Sequence, residues 1–229
     1  MRLVTWNCGR GLFTPKVDFI ASLAADIAVL QEIAQPENPS TPTCCWFGEN
    51  PQQGVAIIAA PPYTVEPVPQ HPDAPRFVYP VSVHGPVSFH LLAVWSQPEP
   101  TYVQAVWRGL DCYDTFLREK PAVVIGDFNS NARWDSDNRV VSHTKLVMRL
   151  TDDFGLRSSY HQHLGVAHGA ELHHTLYWRW QEGQPFHLDY CFAPAAWAIQ
   201  CVTVGSYADW KGKSDHRPLT IDFASTTSV

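Results

Sequence analysis

The chain has 229 residues, 45% of them hydrophobic, with nineteen prolines, thirteen glycines and a formal charge of −6. That length can bury a large core, and the acidic balance argues against broad electrostatic binding to a nucleic-acid backbone, though not against a nucleic acid as substrate. No apolar run is long enough to cross a bilayer, the N-terminus lacks the apolar core of a secretion signal, and the six cysteines lack CxxC spacing, which predicts a cytoplasmic chain with free thiols.

Arg2 to Trp6 is rich in β-formers and reads as a strand ending at Asn7, followed by a CGRG turn. Phe13 to Ala25 has helical spacing, with Pro15 in the first turn and Thr14 as cap. Ile27 to Leu30 is an apolar run that stops at Gln31-Glu32, and residues 35–50 are proline-rich and read as irregular. Gln53 to Ala60 predicts a buried strand, and residues 63–75, broken by further prolines, a loop or sheet edge. Arg76 to Val83 and Val87 to Trp95 predict a strand pair, and Thr101 to about Glu119 a helix whose apolar face carries Val103, Val106 and Leu110. Ala122 to Ile125 reads as a strand buried on both faces, and it stops abruptly in Gly126-Asp127-Phe128-Asn129.

Ser142 caps a predicted helix from His143 to about Phe154, ended by Gly155. His161, His163, His168, His173 and His174 then crowd together, but their spacings fit no closed zinc site, so zinc is set aside. Thr175 to Trp180 and Phe186 to Phe192 predict a hairpin. Asp189 lies inside its second strand, where a carboxylate needs a partner. Ile199 to Gly205 adds a strand, and a Cys191–Cys201 bridge would need a turn joining the two neighbouring strands. A polar loop from Trp210 to Pro218 leads into a last strand, Leu219 to Phe223.

Polar residues therefore close several buried strands in succession. Each alone is ordinarily a turn former or a solvated side chain. Taken in order, Thr5-Trp6-Asn7, Leu30-Gln31-Glu32, Gly126-Asp127-Phe128-Asn129, Leu188-Asp189-Tyr190 and Ser214-Asp215-His216-Arg217-Pro218 span nearly the whole chain. This pattern resembles the endonuclease/exonuclease/phosphatase superfamily, the deoxyribonuclease-like fold that also holds exonuclease III-type enzymes. The resemblance implies an α+β fold over a single domain, residues 1–229. Its architecture would be a four-layer α/β-sandwich, two mixed β-sheets packed face to face with helices outside.

It also implies a metal-dependent phosphodiester hydrolase, foremost a nuclease acting on DNA, with RNA a further candidate. The alternatives are a phosphatase or phosphodiesterase of a small-molecule or lipid head-group phosphoester, and a non-catalytic binding domain of the same fold. By the resemblance, Glu32 binds a divalent metal, Asn7 helps hold the metal or a phosphate oxygen, and Asp215 is a second acid near the metal. Asp127 orients or deprotonates the attacking water, Asn129 positions that water or the phosphate, and Asp189 pairs with His216, which meets the phosphate. Oxygen ligands of this kind select Mg²⁺ or Mn²⁺ whatever the family.

One departure stands out. Where many members carry a His or Tyr before the long helix, this chain has Trp95, whose indole cannot exchange a proton but can donate a hydrogen bond. Trp134, Trp178, Trp180 and Trp210, with Arg133, Arg179, Lys211 and Lys213, suit stacking on unpaired or flipped nucleotides. About half of such tryptophans belong to a core, since aromatic burial is the usual case. The expected substrate contacts are Trp95, Arg133, Trp134, Trp178 and Lys213, in a monomer that binds single-stranded, flipped or short duplex nucleic acid without membrane insertion.

Overall fold

The computed structural model of the chain describes residues 1–11, 13–136 and 138–224. Its strands, in chain order, begin with β1 (Arg2–Asn7), β2 (Ile27–Ile33), β3 (Ser40–Thr41), β4 (Cys44–Asn50) and β5 (Gln53–Ala59). They continue with β6 (Thr64–Pro67), β7 (Val78–His84), β8 (Phe89–Trp95), β9 (Ala122–Asp127) and β10 (Leu156–Ser158). Then come a small hairpin of β11 (Leu176–Tyr177) and β12 (Pro185–Phe186), and β13 (Asp189–Pro194), β14 (Ile199–Val204) and β15 (Leu219–Phe223). One large sheet has the order β14-β15-β1-β2-β5-β4-β3 and the other β10-β13-β9-β8-β7-β6. Both are mixed: β1 runs parallel to β2, and β8 to β9, among antiparallel neighbours.

The alternation of side chains along each strand builds the layers. Leu3 of β1, Phe89 and Leu91 of β8, and Val123 and Ile125 of β9 meet in a core between the sheets. Their neighbours face outward. Leu92, Val94 and Val124 pack under helices α2 (Tyr102–Cys112), α3 (Asp114–Glu119) and α4 (His143–Phe154), through Val106, Leu110, Leu117, Leu146 and Leu150. On the other outer face, Val4, Trp6 and Leu30 pack against Phe19 and Ile20 of α1 (Val17–Ser22). The result is helix, sheet, sheet, helix. The central strands are apolar on both faces because both faces are covered, and each fully buried Leu, Ile or Val contributes about 1.5–3 kcal/mol.

Local chemistry sets the ends. Ser142 Oγ accepts the Lys145 N–H at 3.3 Å, and Gly155 at φ +67° ends α4 in the left-handed region. The expected helix over 101–119 is two helices, because Tyr113 (φ −113°, ψ 21°) breaks the ladder. The helix expected over 13–25 contracts to a 3₁₀ turn at Thr14–Lys16 and the short α1, and the Thr14 side chain lies outside the described residues. Residues 35–50 are not irregular: β3 and β4 extend the first sheet by pairing with each other and with β5. The expected 175–192 hairpin is confined to β11 and β12, and Asp189 instead opens β13 in the second sheet. Cys191 in β13 and Cys201 in β14 belong to different sheets, and all six cysteines are free. No described helix is long and apolar enough to cross a membrane.

Candidate active site

The ends of both parallel pairs open on one cleft of about 660 Å³. Asn7 ends β1, Glu32 lies near the end of β2, Trp95 ends β8 and Asp127 ends β9, and all four line it. Asn129, Asp215, His216 and Trp178 complete the lining expected from sequence. Asp189 sits just behind it, fully buried and paired in register with Asp127 across β13 and β9.

Backbone irregularities aim these side chains. The β2–β5 register shifts between Leu30 and Ile33, and Glu32 within that bulge has φ +53°. Asn129 has φ +47°, which asparagine tolerates better than most residues. Such conformations persist only where the surrounding fold enforces them. Gly126, at φ +147°, lets β9 approach β8 so closely that a Cβ there would lie 1.8 Å from the Val94 carbonyl oxygen.

The polar groups form a connected set. Asn7 Nδ2 donates to Asp127 Oδ2 at 2.9 Å and to Glu32 Oε1 at 3.3 Å, while Asn7 Oδ1 accepts the Gly9 N–H at 2.9 Å. Asn129 donates its backbone N–H to Asp127 Oδ1 at 2.9 Å and its side-chain amide to Asp127 Oδ2 at 3.1 Å. His216 Nδ1 is 2.9 Å from Asp189 Oδ2, and its Nε2 lies 4.0 Å from Asp127 Oδ2. The loop carrying His216 is fixed from beneath. Ser214 Oγ donates to the Asn7 carbonyl and accepts the His216 N–H. The buried Arg217 donates to the Ser214 and His216 carbonyls with its guanidinium packed against the Tyr177 and Tyr207 rings.

Burial and charge set the protonation states. Burial, with Asp189 nearby, pushes the Asp127 carboxyl up to about 7. Burial opposes charge on His216, but the Asp189 and Asp127 carboxylates outweigh it and raise the imidazole to about 10. A carboxylate that accepts a proton near neutrality thus stands beside a persistent imidazolium. That pair suits activation of water and stabilisation of growing negative charge.

Asp127, Asp189 and His216 have ligand atoms within 4.8 Å of one another, but an imidazolium has no lone pair to give, so the carboxylate oxygens are the candidate metal donors. Glu32 and Asp215 add further oxygen donors to the cleft, and Glu32 Oε2 is 3.5 Å from Arg10 Nε. An oxygen-rich anionic set of this kind fits a hard divalent cation. Asn7 stands between the Glu32 and Asp127 carboxylates, its amide bridging them and its Oδ1 accepting the Gly9 N–H.

Of the expected substrate contacts, Trp95 and Trp178 reach the cleft. Arg133, Trp134 and Lys213 are outside its lining. Trp134 packs on Phe186 at 5.1 Å, and the Lys213 ammonium lies over the Phe19 and Trp210 rings at 4.5 and 4.7 Å. Trp210 itself is core, edge-on to Trp6. Arg10, Gln53, Arg76, Gln97 and Tyr102 line the cleft but were not singled out in the sequence. Arg10 alone had a signal, its place just past a strand end. The others come from loops, a strand end and the first residue of α2, which only the folded chain brings together.

The sequence model of the endonuclease/exonuclease/phosphatase family matches residues 4–216. The chain belongs to the endonuclease/exonuclease/phosphatase family. Members of this family are hydrolases acting on phosphoester bonds and generally use divalent metals. No curated protein sequence matches the chain. Similar solved structures include a variant of the 3′ phosphatase NExo from Neisseria bound to a product DNA hairpin, at 20% identity and TM-score 0.68, covering 98% of this chain and 99% of that one. The endonuclease domain of TRAS1, a telomere-specific non-LTR retrotransposon, is similar at 16% identity and TM-score 0.69, with 99% of each chain covered. Truncated TDP2 from Caenorhabditis elegans is similar at 17% identity and TM-score 0.65, covering 97% and 96%. These likenesses establish the endonuclease/exonuclease/phosphatase fold.

Proposed function

We propose that this chain is a metal-dependent phosphodiesterase acting on nucleic acid, foremost DNA, at an unpaired or flipped nucleotide. The observation that carries the reading is the pairing of His216 Nε2 with Asp127 Oδ2 at 4.0 Å, at the foot of a cleft rimmed by the exposed Trp178 and Trp180. Asp127 takes the proton of the attacking water as the new P–O bond forms and the ester P–O bond opposite it breaks, the departing oxygen taking its proton from water. Asn129 orients that water, and His216, held charged by Asp189, faces the phosphoryl oxygens as their charge grows. Glu32 and Asp215 would hold Mg²⁺ or Mn²⁺, which supplies Lewis-acid stabilisation of the phosphate and the departing oxygen. Trp178 and Trp180, each about half exposed, offer flat faces for a base, worth about 1–3 kcal/mol per stacked base. Trp95, packed on Phe77 at 4.4 Å, closes the wall where relatives carry His or Tyr. NExo, bound to a DNA hairpin, supports a nucleic-acid substrate. We read residues 1–229 as one monomeric domain, and its six unpaired thiols suit the reducing cytoplasm.

A second reading, a small phosphoester, is favoured by the net charge of −6, which lacks the excess of cations that long duplexes attract. Incubation with Mg²⁺ and labelled single- and double-stranded DNA, RNA, and inositol or sphingolipid phosphoesters separates the two. Expected is cleavage of nucleic acid that is lost in EDTA and in Asp127→Asn, with Trp178→Ala raising KM about tenfold and leaving kcat nearly unchanged. Turnover of the small esters alone selects the second reading, and full activity in chelator removes the metal.

A further inference from the structure

We propose that His143, His161, His168 and Glu171 form a second metal site, built for one Zn²⁺ and separate from the cleft. Ligand atoms of His161, His168 and Glu171 lie within 4.8 Å of one another. His161 Nε2 is 3.2 Å from Glu171 Oε1, and His143 Nε2 is 3.4 Å from His168 Nδ1. Donors bound tetrahedrally to zinc at about 2.0–2.1 Å stand about 3.3–3.4 Å apart, so both contacts have the length of a tetrahedron edge.

The atoms pointing away from the centre are anchored. His143 Nδ1 is hydrogen-bonded to Ser130 Oγ at 2.9 Å, and His161 Nδ1 to Ser158 Oγ at 2.7 Å. A ligating histidine that gives its far N–H to an oxygen keeps its lone pair turned to the ion. The Glu171 carboxylate is also held in place, its Oε1, the oxygen that faces His161, accepting the Gly169 N–H at 2.9 Å and the Asn131 amide at 3.1 Å. His187, fully buried beside His161 at 5.9 Å between ring centres, has an Nε2 without a hydrogen-bond partner. The run of histidines from 161 to 174 shows no zinc spacing because one ligand lies upstream on α4 and another is a glutamate.

One adjustment is required. The His161 and His168 rings stack at 3.5 Å and 14°, so their lone pairs run side by side. His143 and His161 are buried, whereas His168 is only partly so, and it is the His168 ring that must turn for the four donors to share a centre. With four protein donors the site is closed, and its role is structural. It lies against Ser130 and Asn131, which directly follow Asn129, so an ion there ties α4, the helix Ser159–Leu164 and the catalytic loop into one unit.

The test uses the full chain, stripped with chelator and returned to Zn²⁺ in excess Mg²⁺. Bound zinc is counted by elemental mass spectrometry and the thermal midpoint is recorded. Co²⁺ serves as the optical probe, since tetrahedral and six-coordinate sites differ in their visible bands. Expected are one equivalent of Zn²⁺, a tetrahedral Co²⁺ spectrum and a raised midpoint. All three should persist in Glu32→Gln and disappear in His168→Ala and Glu171→Gln, and Ser130→Ala should weaken affinity about 10–100-fold. Zinc that stays bound in both ligand variants, or never binds the wild-type chain, overturns the site. The half-buried His168 and the size-preserving Glu171→Gln keep the fold, and either variant decides alone should the other misfold.

Discussion

Asp189 lies behind the cleft and, in the proposed mechanism, acts through His216. Its oxygen at 2.9 Å from Nδ1 fixes the ring and holds its charge, which leaves Nε2 turned to the cleft. In Asp189→Asn the imidazole should fall from about 10 toward its ordinary 6.5, read by NMR titration of the metal-free protein. Turnover at pH 8 should drop about 10²–10⁴-fold, the scale of a charge-stabilising group. Because the folded value is raised, the stability His216 contributes is fully present below pH 6.5 and is lost as pH rises through about 10. Glu32 gives a second test at this scale. Its φ of +53° costs any side chain with a Cβ, so Glu32→Gly should be about 1 kcal/mol more stable than Glu32→Ala in urea unfolding, while both lose activity.

At the scale of the element, the strand β9 depends on one glycine. Gly126→Ala would drive a methyl to 1.8 Å from the Val94 carbonyl, between two parallel strands whose register sets Trp95 opposite Asp127. We expect a loss of at least about 2–3 kcal/mol in denaturant unfolding, with activity falling further than stability alone explains. The elements legible in the sequence were those with strong local signals. β9 showed as an apolar run, and α4 through Ser142 and Gly155. β4 was hidden because its residues are partly exposed and polar at its end, and only pairing with β5 makes it a strand. The break at Tyr113 was hidden because the apolar stripe continues through Phe116 and Leu117, while the Tyr113 hydroxyl leaves to accept the His71 N–H.

For the whole molecule, the meeting of Asn7, Glu32 and Asp127 in one cleft was legible because they lie at or near the ends of buried strands, where polar residues have no packing reason to be. The rim was legible only in part: Trp95 and Trp178 reach the cleft, but nothing local separates Arg133 and Trp134, which lie outside it, from Arg10 and Trp178, which line it, and only tertiary packing sorts them. The histidine cluster also shapes stability. Burial holds His143 and His187 each near about 4, below the ordinary 6.5. Stability from these groups is complete above pH 6.5 and is lost as pH falls toward 4, because the unfolded chain takes up their protons first. Calorimetry of the metal-free protein should therefore show proton uptake on unfolding across that window.

β1 is flanked by β2 on one side and, on the other, by β15, made more than two hundred residues later, and Met1 donates to the carbonyl of Phe223. His216 stands immediately before β15. During synthesis Glu32, Asp127 and Asp189 are therefore all made well before Asp215 and His216, which emerge together just ahead of β15. Translation products cut short of that point leave the β15 edge of β1 unpaired and lack the imidazole half of the Asp127–His216 pair on which the proposed hydrolysis rests.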